Sequence, residues 1–132
     1  MDQGPLVIQE MNAGAELARE FDKYQPVKVA FWLKASDDAY RHLYIASEQI
    51  NDANIDLAYG EVVRLASKIE SPFFDVFQVK LISAEKPLAK AAYELRERFP
   101  SRMGNRLRGT LFGGRMIDDV YIYPSPLPAA VR

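Results

Sequence analysis

Residues 76–99 read VFQVKLISAEKPLAKAAYELRERF, and a change of period inside this stretch decides the fold. Up to residue 82 the side chains alternate: Phe77, Val79 and Leu81 fall on one face, Gln78 and Lys80 on the other. That is the period of a β-strand. From Leu88 the spacing widens, and Leu88, Ala91, Ala92, Leu95 and Phe99 make one stripe of an α-helix. Ser83 is placed to cap this helix, and Pro87 is tolerated in its first turn.

The same reading extends outward. Upstream, Ile55, Ala58, Tyr59, Val62, Ala66 and Ile69 follow helical spacing, with Asp52 or Asn54 as cap and Ser71-Pro72 as stop. Residues 40–47 and 27–34 read as strands joined by a Ser36-Asp37-Asp38 turn. Residues 11–24 read as a helix capped by Asn12, with Leu17, Phe21 and Tyr24 on one stripe. Downstream of Pro100, strands at 106–112 and 118–123 are joined around Gly113-Gly114 as a hairpin. Residues 124–132 form an extended Pro-rich tail.

The order α-β-β-α-β-α-β-β predicts one α+β domain over residues 1–132. Its expected architecture is two-layer, a five-stranded mixed sheet with about three helices mainly on one face. Strand–helix–strand crossovers between parallel strands are right-handed, so the second and third helices are expected to share a face. The opposite face would then present Gln78 and Lys80 together with a row of rings: Tyr40, His42, Tyr44, Tyr121 and Tyr123. Rings of this kind, with an apolar body and a hydroxyl that needs a partner, mark interaction surfaces when exposed. Any site is therefore expected on that face or at the sheet edge made by the last hairpin.

Composition narrows the chemistry. At 132 residues the chain is long enough to bury a core without cross-links. It contains no cysteine, which excludes disulfides, zinc–thiolate and iron–sulfur sites and thiol nucleophiles. No stretch approaches the length of a membrane span. Met1 to Pro5 carries no basic run, so no signal peptide, no membrane association and a cytoplasmic location are expected. No phosphate-cradling glycine motif occurs, so no cofactor is expected.

Several weak motifs have ordinary explanations. His42 is the only histidine, which rules out a multi-histidine metal site, and no metal is expected. As a base it needs an orienting carboxylate that the sequence does not identify. Ser83-x-x-Lys86 matches a nucleophile–base spacing, but the Ser-Asp-Asn and Lys-Thr-Gly elements that go with it are absent, and a helix cap explains Ser83 better. Gln78-x-Lys80 lacks the carboxylate that a nuclease metal site needs, and an alternating strand accounts for it. The pairs Asp37-Asp38 and Asp118-Asp119 fit turn chemistry, and adjacent strand residues point to opposite faces.

The unusual feature is charge segregation. Residues 1–95 carry a net of −5 and residues 96–132 a net of +4. The bases of the second part are all arginine: Arg96, Arg98, Arg102, Arg106, Arg108, Arg115 and Arg132. Guanidinium forks suit phosphates and carboxylates. Arg106, Arg108 and Arg115 with Tyr40, His42, Tyr44, Tyr121 and Tyr123 form the expected binding set. The leading expectation is a non-enzymatic protein-interaction module, a homo-oligomer or a binder of a small protein partner. The alternatives are nucleic-acid or anionic-ligand binding through the Arg/Gly-rich C-terminal hairpin, and a small enzyme using His42, whose catalytic set the sequence does not reveal.

Overall fold

A computed structural model describes residues 6–69, 71–72 and 74–128. The last residues of the expected tail, Arg132 among them, lie outside the described residues. The fold is α+β, with three helices and a five-stranded mixed sheet in the expected order. The elements are α1 (Ile8–Tyr24), β1 (Val29–Ala35), β2 (His42–Ser47), α2 (Ile55–Ala66), β3 (Val79–Ser83), α3 (Pro87–Arg98), β4 (Asn105–Phe112) and β5 (Arg115–Ile122).

Across the sheet the strands lie β3-β2-β1-β5-β4. Only β2 and β3 run parallel; the β1–β2, β1–β5 and β4–β5 pairs are antiparallel. The crossover between β2 and β3 carries α2, as expected of a parallel pair. β4 is antiparallel to β3 and lies at the far edge, so the handedness rule does not govern the connection through α3. The second and third helices therefore do not share a face. α1 and α2 cover one face, packing Leu17, Phe21, Ala58 and Val62 on Ala30, Trp32, Leu43, Ile45, Val79 and Leu81. α3 covers the other, setting Ala89 and Ala92 against Phe31, Tyr44, Phe112, Val120 and Ile122. Two helices keep to one face, and α3 adds a further partial layer. Burial on both faces explains why β1 reads as the near-continuous apolar run Val29 to Leu33.

The helix starts differ from expectation. α1 begins before Asn12, and the Glu10 carboxylate accepts the Val7 N–H at 3.3 Å. The residue capping α3 is Lys86; Ser83 instead accepts the Glu85 N–H in the preceding turn. Phe77 belongs to a 3-10 turn, Val76–Gln78, and is exposed. The tail leaves β5 and bends at Ser125-Pro126, whose peptide is cis. Arg19 Nη1 donates to the Pro128 carbonyl at 2.9 Å.

α1 is tied to the sheet by one polar relay. Trp32 Nε1 donates to the Tyr123 hydroxyl at 2.8 Å, and that hydroxyl donates to the Met11 carbonyl of α1 at 2.5 Å. Gly14 makes room for it. A Cβ at residue 14 would stand 2.5 Å from the Tyr123 oxygen and 2.9 Å from Trp32 Nε1. Both edges of the sheet are irregular or short. β3 has five residues, and β4 is kinked at Gly109, which takes φ +56° and lies between Arg108 and Thr110.

Replacing Gly14 with Ala should lower stability by about 1–3 kcal/mol, the usual cost of overfilling a packed core. Urea unfolding measures it directly. An unchanged midpoint would mean that the helix shifts freely and that the relay does not fix its position.

Candidate functional site

The expected row of five rings on one sheet face does not form. Tyr44 and His42 lie on the α3 face, whereas Tyr121 and Tyr123 lie on the α1/α2 face. Tyr44, Tyr121 and Tyr123 are each no more than 7% exposed, and only Tyr40 stands in solvent. The reason is that both faces of the sheet are covered, so alternation alone does not tell an inner from an outer tyrosine. Burial disfavours the phenolate and raises the pKa of Tyr121 and, more strongly, of Tyr123 above the ordinary phenol value. Tyr121 instead donates its hydroxyl to the Met103 carbonyl at 3.0 Å.

A first cluster gathers around Tyr44. Its ring stacks on Phe31 at 5.1 Å, and the His42 ring meets it edge-on at 6.4 Å. Lys80, the register partner of Tyr44 on β3, places its ammonium 5.8 Å from the ring centre. Arg115 faces the Tyr44 hydroxyl and donates to Asp37 at 3.2 Å. The carboxylate that sequence reading did not find is Asp38, whose Oδ2 lies 3.5 Å from His42 Nδ1. The turn after β1 brings it there, and the Tyr40 N–H donates to its other oxygen. That backbone hydrogen bond, with His42 and Lys80 nearby, holds Asp38 below the ordinary carboxylate range. Burial is the main force lowering His42 below 6.5; Lys80 adds to it and Asp38 opposes it.

A second cluster lies on the α1/α2 face. Arg106 grips Asp119 with both arms of its fork, at 3.0 and 2.7 Å. Arg41, buried immediately before β2, approaches the same carboxylate at 4.0 Å, and Arg108 at 3.8 Å. Burial lowers Arg41 while Glu10 and Asp119 raise it. Asp118 is the extra residue of a β-bulge, where the β1–β5 register shifts between Lys34 and Ala35. It accepts from Lys34 and Ser36 at 2.8 and 2.9 Å. Asp37, Asp118 and Asp119 are thus each paired with an arginine or lysine, and Asp38 with His42. Among the described residues, no group of three or more His, Asp or Glu is placed to hold a metal ion.

Beyond Arg106, the outer part of this face is bare. Arg108, Leu111, Met116 and Asp118 are all exposed there, with Leu111 and Met116 cross-strand neighbours. Two clefts of about 430 and 370 Å³ flank the Pro-rich tail, and Arg96 lines both. Its Nη1 donates to the Lys28 carbonyl and its Nε to Glu97. Neither cleft includes His42. No helix among the described residues is long and apolar enough to cross a membrane.

Compared with known proteins, the chain matches no family model, no curated protein and no solved structure.

The single histidine makes the Tyr44 cluster directly observable. In a proton NMR titration, His42 should show a midpoint below 6.5. Lys80→Gln should move it upward without reaching 6.5, because burial persists. Since the unfolded chain binds this proton more readily, the His42 contribution to stability is complete above about pH 6.5 and declines as pH falls toward the folded value. A midpoint indifferent to Lys80 would show that the two groups do not interact.

Proposed function

We propose that this chain is a non-enzymatic protein-interaction module that associates with itself. The observation that carries this reading is the exposure of large apolar side chains on two regular surfaces. On α2, Leu57 and Val63 are 72% and 57% exposed; on the last hairpin, Leu111 and Met116 are 69% and 58% exposed. Scattered surface leucines need no explanation, but pairs on one helix and at one cross-strand position favour association. A net charge of −1 puts little long-range repulsion between copies.

The arginines of the second part support this reading over nucleic-acid binding. Arg106, Arg115 and Arg96 already spend their forks on Asp119, Asp37, Glu97 and the Lys28 carbonyl. Fewer guanidinium groups are then left to neutralise phosphates. Catalysis through His42 is less favoured because the pair it makes with Asp38 lines neither cleft beside the Pro-rich tail nor the cleft of about 470 Å³ between Pro26 and Tyr93.

Light scattering and sedimentation at micromolar concentration test the proposal. The wild type should exceed the monomer mass of 15.0 kDa as concentration rises. Introducing one aspartate at a time, as Val63→Asp or Leu111→Asp, should return at least one variant to monomer with an unchanged thermal melt, because both side chains are exposed. A wild type that stays monomeric throughout the micromolar range overturns the reading.

A further inference from the structure

We infer that the hydroxyl of Tyr59 is a latch that closes the β3 edge of the sheet against the addition of another strand. β3 is an outer strand: β2 lies on one side of it, and among the described residues no strand lies on the other. Such an edge offers its unpaired N–H and C=O groups to any extended chain that meets it. The residues concerned follow from the pairing with β2. The Ala84 N–H donates to the Ser47 carbonyl at 3.0 Å, so the backbone groups of Ala84, and by alternation those of Ile82 and Lys80, turn toward β2. The groups of Val79, Leu81 and Ser83 then turn outward.

Two of these three residues are engaged by the turns at the ends of the strand. The Val79 N–H donates to the Val76 carbonyl of the 3-10 turn that precedes β3. The Ser83 carbonyl accepts the Lys86 N–H at 3.1 Å in the turn that follows. Leu81, at the centre, is beyond the reach of either turn. Its N–H donates to the Tyr59 hydroxyl of α2 at 2.9 Å. A strand laid along this edge needs that central N–H, and the hydroxyl already holds it.

Packing does not call for the hydroxyl. Ile55 and Tyr59 are one helical turn apart, and both are partly buried against the apolar cluster that contains Leu81. A phenylalanine ring would fill the same space. What the oxygen adds is an acceptor at the one outward residue that the strand's own turns leave open. The far edge is protected differently, by the backbone kink of β4 at Gly109. At β3 the protection is a side chain, and a single substitution removes it. This inference is separate from the self-association reading, which rests on exposed side chains of α2 and the last hairpin.

Amide hydrogen exchange followed by NMR reads the latch residue by residue. In the wild type the Leu81 amide should be protected although no strand pairs with it. In Tyr59→Phe it should exchange about tenfold faster, the order expected for one lost hydrogen bond, while amides of the β1–β2 ladder keep their rates. Incubated at high concentration, this variant should gain thioflavin T fluorescence that the wild type lacks, as strands add to the opened edge. An unprotected Leu81 amide in the wild type, or equal rates in both proteins, overturns the latch. Faster exchange spread evenly over the β1–β2 ladder overturns it too, because Tyr59 would then support the whole fold and not the edge. So does a freed Leu81 amide with thioflavin T fluorescence at the wild-type level, because the bond would then tie helix to strand without closing anything. A strictly monomeric wild type leaves these readings intact and overturns self-association alone.

Discussion

The hydrogen bond from the Trp32 indole to the Tyr123 hydroxyl is the constraint on which the rest of the structure depends. Trp32 sits mid-way along the central strand, and Tyr123 follows the last residue of its neighbour β5. Both are essentially inaccessible to water, so each polar atom needs a partner inside the core. The hydroxyl accepts from the indole and donates its own hydrogen bond to the Met11 carbonyl of α1, and Gly14 removes the one Cβ that would prevent the approach. Sheet, last strand and first helix are fixed by a single relay of two side chains. α1 then packs on α2, and α2 is left with one face on the core and one face in solvent.

Much of the fold is legible in the sequence because local periods are strong. The strand-to-helix change between Leu81 and Leu88, the apolar run of β1 and the Gly113-Gly114 turn each point to one element, and the observed order follows. What local pattern does not carry is the pairing of distant strands. β4 joins the far edge, antiparallel to β3, and this takes α3 to the other face. Once both faces are covered, Tyr44, Tyr121 and Tyr123 become core residues. Alternation assigns each to a side and leaves open which side is wet.

The candidate sites were legible in part. The hairpin arginines stand out in composition, yet their partners do not. Asp119 is a hub for Arg106, Arg41 and Arg108 because β4 and the chain entering β2 bring their side chains to one carboxylate from either direction. The bulge at Asp118 breaks the rule that neighbours on a strand point to opposite faces, and no residue type signals it in advance. Asp38 escaped notice as the partner of His42 because turn geometry, not helical or strand spacing, brings them together. The outer side of α2 reads in the sequence as an ordinary helix; only exposure distinguishes Leu57 and Val63.

The kink at Gly109 has a consequence for the behaviour of this chain at high concentration. An open strand edge is a template for unlimited addition of further strands, the route to fibrous aggregates. Here the longer edge is broken at its centre by a backbone conformation that a flat ladder does not accept, and the arginines on one side of the break carry charge along it. The opposite edge has only five residues. Sheet growth is blocked at both ends. The protein can therefore keep apolar side chains in water on a helix and a hairpin without offering a long flat strand edge beside them.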